Sequence, residues 1–192
     1  MNRAILLDRD GTLIHERNYL CDPAGVELEH QVVPALRRLH EAGYLLIIVT
    51  NQSGIGRGLY TEAQFRAVQD ELSRLLGEHG IPIAGDYHCP HHPTEARGEY
   101  LRVCECRKPA PGMVRSALAD FDLDPAQTFM VGDTLNDVAA GQNAGIRGVL
   151  IRTGYGAEQA RGDGAVVPDH VADDLLRAVE DYILVAASPD LR

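Results

Sequence analysis

Two aspartates, Asp8 and Asp10, stand one residue apart in the run DRDGT, directly after the apolar stretch AILL. Side chains two apart on an extended backbone face the same way, so the pair sets two like charges side by side at the end of a strand. Such repulsion is relieved by a cation or by protonating one carboxyl. Two further acids, Asp133 and Asp137, occur in GDTLND, again after an apolar run. A hard divalent ion with oxygen ligands, Mg²⁺ above all, is the natural partner for Asp8 with Asp133. Alone, DRDGT also suits a solvated turn, because Asp and Gly are turn residues. An EF-hand calcium loop fits poorly, since it needs glycine at its sixth position and Gly11 comes fourth.

A second cluster has different chemistry. Cys89-x-His91, twelve intervening residues and Cys104-x-Cys106 supply three thiols and one imidazole, enough to close a tetrahedral structural zinc site. His88 and His92 are second choices in the same segment. A closed four-ligand shell leaves no position for water, so this zinc would brace a loop rather than catalyse. The bland alternative is three small buried thiols among surface histidines. Cys21 stands apart, and MNRAILLDRD brings charge too early for a signal-peptide core. A cytoplasmic chain with metal-bound rather than disulfide-bonded cysteines is expected.

The elements that must position these groups are read from the alternation of Val/Ile/Leu runs with amphipathic segments, the mark of β-α-β units and a parallel sheet covered on both faces. Strands are expected near 3–8, 44–50, 128–132, 148–152 and 165–167, and helices near 33–42, 62–79, 112–121, 135–144 and 172–186. Thr61 with Gln64 resembles a capping box, and Gly43 and Gly145 follow helices. Residues 85–111, with their prolines, cysteines and histidines, read as a long ordered loop insertion. The first three confident strands end in Asp8, Asp10 and Thr12, in Thr50, Asn51, Gln52 and Ser53, and in Asp133, Thr134 and Asp137. Parallel α/β sheets gather their ligand site beyond the carboxyl ends of the strands, so these distant residues are expected to converge.

The 192 residues suit one domain spanning 1–192, and a hydrophobic fraction of 45% with 24% charged residues places the chain among ordinary globular proteins. No stretch is apolar for the length a membrane span needs. A formal net charge of -10 without a basic run argues against nucleic-acid or anionic-membrane partners. An anionic ligand would need a local cationic site.

With TNQS at 50–53, RKP at 107–109 and GDTLND at 132–137 added to DRDGT, the chain resembles the haloacid dehalogenase superfamily, whose four motifs appear in order. The runs CPHH, CECRKPAPGM and TNQSGIGRG are similar to its D-glycero-D-manno-heptose 1,7-bisphosphate phosphatase branch, and histidinol-phosphate phosphatases share much of the pattern. The resemblance implies a three-layer Rossmann-like fold without a large cap domain. It implies Asp8 as the nucleophile that forms an aspartyl-phosphate, Asp10 as general acid and base, and Thr50 and Lys108 as stabilisers of the phosphoryl group. Asp8, Asp10 and Asp133 would hold Mg²⁺, with Asp137 orienting that shell or Lys108. Cys89, His91, Cys104 and Cys106 would hold zinc.

Substrate contacts would come from Glu16, Arg17, Asn18, Tyr19, Asn51, Gln52, Ser53, Arg57 and Arg107. Some members carry Lys where this chain has Thr134. The implied activity is Mg²⁺-dependent removal of the C7 phosphate from a heptose bisphosphate, in the nucleotide-activated heptose route to lipopolysaccharide core. A monomer acting on a small sugar phosphate is expected. The competing readings are a histidinol-phosphate phosphatase, a phospho-accepting receiver domain and a zinc-braced binding module without turnover.

Overall fold

The computed structural model describes residues 1–162 and 165–186. Six strands, β1 (Asn2–Leu7), β2 (Leu45–Asn51), β3 (Gly85–Cys89), β4 (Leu123–Gly132), β5 (Arg147–Ile151) and β6 (His170–Ala172), form one sheet in the order β3-β2-β1-β4-β5-β6, every neighbour parallel. Strand order therefore reverses at β1, and the crevice beyond β1 and β4 is the switch point of a doubly wound sheet.

Period-two alternation splits the core into two layers. Ile5, Leu7, Leu46, Ile48, Phe129 and Val131 face one way, packing against α1 (Val32–Glu41), α3 (Glu62–Glu78) and the C-terminal helical run made of α7 (Leu175–Ala178), the π-helical Val179–Ile183 and α8 (Leu184–Ala186). Ala4, Leu6, Ile47, Val49 and Met130 face the other, against α4 (Gly112–Asp120) and α5 (Leu135–Asn143). Both faces being covered, the central strands read as unbroken apolar runs.

Four expectations needed revision. Residues 165–167 lie in a loop and the last strand is His170–Ala172. The 85–111 segment opens with a strand rather than loop, because the polar run GDYHC sits at the sheet edge, where only Cys89 is buried. Short helices α2 (Ser53–Arg57) and α6 (Gly156–Gln159) occupy stretches read as connections. The fourth strand begins five residues early, at Leu123, before its pairing with β1 jumps from Leu123 to Thr128. Thr61 and Gln64 form the capping box that their spacing predicts.

Candidate active site

Three strand ends and one loop meet at the switch point. Asp8 follows β1 and its N–H donates to Val131 O at 2.9 Å, tying it to β4. Lys108 arrives from the loop before α4, and Asn51 fixes it there. Asn51 Nδ2 donates to Lys108 O at 3.1 Å and Lys108 N donates to Asn51 Oδ1 at 3.0 Å. The Asn51 side chain thus holds the lysine backbone while lining the cavity.

The Lys108 ammonium is buried and has three partners. It donates to Asp8 Oδ1 at 2.8 Å and Val49 O at 2.7 Å, and stands 2.5 Å from Asp137 Oδ1. Burial works against its charge, but Asp137 and Asp8 outweigh that and raise its pKa. Asp137 Oδ2 accepts from Thr134 N at 3.0 Å and Thr134 Oγ1 at 2.6 Å. Thr134 therefore opens α5 in a reciprocal cap at the cavity wall, its hydroxyl committed to Asp137.

Asp133 is wedged tightly. Its Oδ2 accepts from Tyr155 N at 2.9 Å, and a Cβ on either Gly11 or Gly154 would fall 2.2 Å from that oxygen. Burial first, then the charges of Asp8 and Asp137, push the Asp133 carboxyl up to about 8. Burial likewise raises Asp137, against the pull of Lys108. Donor oxygens of Asp8, Asp133 and Asp137 lie within 4.8 Å of one another. Fully ionised, the three carboxylates exceed the one ammonium by two negative charges, which a divalent oxygen-seeking cation balances. The donor set fits Mg²⁺.

Asp10 lies to one side, paired with the buried Arg9. Arg9 Nε donates to Asp10 Oδ2 and Nη2 to Oδ1, both at 3.1 Å. Gln52 Nε2 donates to Asp10 Oδ2 at 2.8 Å and to Thr50 Oγ1 at 2.9 Å, while its Oε1 accepts from Arg9 Nη2 at 3.1 Å and Tyr60 Oη at 2.5 Å. Neither Arg9 nor Tyr60 was foreseen from the sequence.

An open cavity of about 240 Å³ joins these groups. Of the expected contacts, Glu16, Asn18, Tyr19, Asn51, Gln52 and Ser53 line it, as does Thr134 from the strand-end set, and Asn136 and Tyr155 join them unforeseen. Burial, then Asp10 and Asp8, raises the pKa of Glu16 against the pull of the Asn18 N–H. Tyr155 Oη donates to Asn18 Oδ1 at 3.1 Å. Asn18 and Tyr19 both hold positive φ, 48° and 67°. Three arginines stand outside the lining. Arg17 pairs with Glu27, Arg57 with Glu95 at 2.6 Å, and Arg107 Nη1 donates to His91 O at 3.2 Å.

The second cluster lies at the end of β3. Cys106 Sγ is 3.0 Å from Cys89 Sγ, 3.2 Å from Cys104 Sγ and 3.2 Å from His91 Nδ1, and Cys89 Sγ is 3.5 Å from both Cys104 Sγ and His91 Nδ1. A tetrahedral zinc shell has ligand-to-ligand edges of about 3.5–3.8 Å, so the four donors surround one point with little adjustment. Burial, then Cys106, raises the Cys89 thiol, so its ionisation calls for a cation. His88 turns instead to Glu62 at 3.1 Å, and His92 Nδ1 accepts the N–H groups of Thr94 and Glu95 at 3.3 and 3.0 Å.

A doubly wound parallel sheet that collects an aspartate pair, a threonine, a lysine and a second acidic pair at its switch point defines a HAD-like hydrolase. The family model described as "HAD-hyrolase-like" matches residues 105–178. A Haemophilus influenzae D-glycero-beta-D-manno-heptose-1,7-bisphosphate 7-phosphatase is 41% identical over 177 residues, 92% of this chain and 94% of that protein. The D-glycero-D-manno-heptose-1,7-bisphosphate 7-phosphatase of Chlorobaculum tepidum is 39% identical, over 95% of this chain and 94% of its own length. Among solved structures, the D,D-heptose 1.7-bisphosphate phosphatase from B. bronchiseptica, complexed with magnesium and phosphate, superposes with a TM-score of 0.83 at 32% identity, over 95% of this chain and 99% of that one. The chain belongs to the haloacid dehalogenase superfamily, in the branch of these 7-phosphatases, and is a phosphoric monoester hydrolase. No helix among the described residues is long and apolar enough to cross a membrane.

Proposed function

We propose that the chain is a Mg²⁺-dependent phosphatase that removes the C7 phosphate of D-glycero-D-manno-heptose 1,7-bisphosphate, in the nucleotide-activated heptose route to lipopolysaccharide core. The observation that carries this reading is the cluster of three carboxylates at Asp8, Asp133 and Asp137, with a buried ammonium at 2.8 Å on the flank of Asp8. Asp8 and Asp133 would hold the ion, with Asp137 fixing Lys108 and Thr134 around it, while the Asp10 carboxyl, engaged by Arg9 and Gln52, is kept for proton transfer. When bound, Mg²⁺ shields Asp8 from the phosphate's own charge and spreads the charge of the transferring group. The magnesium and phosphate in the B. bronchiseptica relative support that assignment.

In the first step Asp8 attacks phosphorus while the bond from phosphorus to the C7 oxygen breaks, and Asp10 gives its carboxyl proton to the departing alkoxide. Thr50 Oγ1 and Lys108 Nζ donate to the transferring oxygens. Water then attacks the aspartyl-phosphate, its proton passes to Asp10, and the bond from phosphorus to Asp8 breaks. Inorganic phosphate leaves with both aspartates restored. Glu16, Asn18, Tyr19 and Ser53 along the cavity wall contact the sugar, and Arg17, Arg57 and Arg107 reach the distal phosphate by leaving their present partners. Zinc on Cys89, His91, Cys104 and Cys106 braces the loop that delivers Lys108. The reading is tested by phosphate release from heptose bisphosphates and histidinol phosphate with Mg²⁺. A heptose preference, abolished by Asp8→Asn in a folded protein, is the expected result, and a preference for histidinol phosphate overturns it.

A further inference from the structure

Arg9 is among the most deeply buried large side chains, 1% exposed, although nothing in the chemistry above employs it. Burying a guanidinium carries a large desolvation cost, and a packed apolar residue in its place is often as stable or more so. Its position accounts for its presence. It lies over the Phe65 ring, 5.3 Å from the centroid, and offers two adjacent donors to the two oxygens of Asp10. Its third nitrogen, Nη1, has no hydrogen-bond partner among the described residues, and the side chain is held by Asp10, Gln52 and Phe65. The Arg9 carbonyl accepts the N–H groups of Leu13 and Ile14 at 2.8 and 3.1 Å, closing the turn that carries Asp10.

The grip is asymmetric. Asp10 Oδ2 accepts from Arg9 Nε and from Gln52 Nε2, whereas Oδ1 accepts from Arg9 Nη2 alone. Gln52 is fixed in turn by Thr50 and Tyr60, which ties this orientation to the threonine at the phosphoryl position. We infer that Arg9 is a positioning residue for general acid-base catalysis. With Gln52 it locks the Asp10 carboxyl in one orientation, Oδ2 held by two donors and Oδ1 by one. The inference rests on the phosphatase reading above, in which Asp10 protonates a leaving alkoxide.

The test compares two leaving groups in the Mg²⁺-loaded full chain. A sugar phosphate releases an alkoxide that needs a proton, whereas p-nitrophenyl phosphate releases a stable phenolate that does not. The ratio kcat/KM stops at leaving-group departure, so it isolates the step in which Asp10 is the acid. Arg9→Met is expected to lower kcat/KM for the sugar phosphate by about 100-fold or more and for the aryl ester by less than about 3-fold. It should also convert aryl turnover into a burst of one phenolate per enzyme followed by a slow phase, since Asp10 is the base of the second step. A parallel fall on both esters, or no fall on either, overturns the inference. If Arg9→Met does not melt cooperatively, Arg9→Lys, which keeps the cation and loses the two-pronged grip, should show the same divergence in smaller measure, and a parallel fall there overturns it equally. Wild-type turnover of the alkyl ester is measured first, because its absence would overturn the phosphatase reading and not the role of Arg9 within it.

Discussion

Replacing Lys108 with Met keeps the length of the side chain and deletes its charge. The consequence follows from three contacts: Asp8 Oδ1 at 2.8 Å, Asp137 Oδ1 at 2.5 Å and Val49 O at 2.7 Å, all around an ammonium whose side chain is 2% exposed. Removing one partner of a buried ion pair costs about 3–5 kcal/mol, because the remaining charge stays desolvated and unpaired. For a domain of this length each kcal/mol moves Tm by about 2–4 °C, so the Mg²⁺-free variant should melt roughly 6–20 °C below the wild type. The deficit should be smaller at low pH than at high pH, because burial raises Asp137 and makes it the carboxyl that takes up a proton once the ammonium is gone. Adding Asp137→Leu should restore part of the loss, on the order of 1–4 kcal/mol, by removing the orphaned carboxylate. Neither variant should regain activity, since one electrostatic donor to a transferring group is worth about 10²–10³ in kcat. Scanning calorimetry in Mg²⁺-free buffer at pH 5 and 8, paired with phosphate release, measures both. A stability loss below about 1 kcal/mol in the single variant, or a double variant no more stable than the single, refutes the charge accounting at the site.

Asp133 sets the pH response of the metal site. Its carboxyl is raised to about 8 from an ordinary value of 3.8, so between these values the folded Mg²⁺-free protein keeps a proton that the unfolded chain gives up. Stability of that form should therefore fall as pH rises through this window, by up to about 1.4 kcal/mol per unit. Mg²⁺ binding should release about one proton at pH 7 and almost none at pH 9, which titration calorimetry in buffers of different ionisation enthalpy reads directly. Gly154→Ala sets a Cβ 2.2 Å from Asp133 Oδ2 at a φ of +49°, and should weaken Mg²⁺ affinity by about 10–100-fold. Unchanged affinity would mean that Asp133 is not held by that wall. Cys104→Ser should lower zinc content and open residues 85–111 to proteolysis before the core melts, and a variant with full zinc and an unchanged cleavage pattern contradicts the bracing role.

The convergence of Asp8, Thr50, Asp133 and Asp137 was legible because polar residues just after Val/Ile/Leu runs can go to only one edge of a parallel sheet, whereas Lys108, in the loop CECRKPAPGM, was reached only through the family resemblance. The Cys and His donors were legible through their chemistry, which few other purposes use. Arg9 was hidden for the opposite reason. Arginines are mostly exposed, and only its neighbours in space explain a buried one. Tyr155 and Asn136 belong to no spacing pattern and line the cavity because α5 and α6 start beside it. Misplaced elements follow the same logic. GDYHC lacks the apolar signature of a central strand because β3 is an edge, and the apolar AVV at 165–167 drew the reading away from HVA at 170–172.

The strand order has a further consequence for the life of the chain before it is an enzyme. β1 is a central strand, with Ala4, Ile5, Leu6 and Leu7 all fully covered, yet one of its two neighbours, β4, begins at Leu123. At ribosomal rates of about 5–20 residues per second, β1 emerges roughly 6–23 s before that partner exists. During this interval β1 can pair with β2 but presents an open, apolar edge on its other side, the kind of template that recruits another chain. Any substitution that slows the arrival or pairing of β4 would therefore show first as lost soluble yield, with the folded fraction retaining full specific activity.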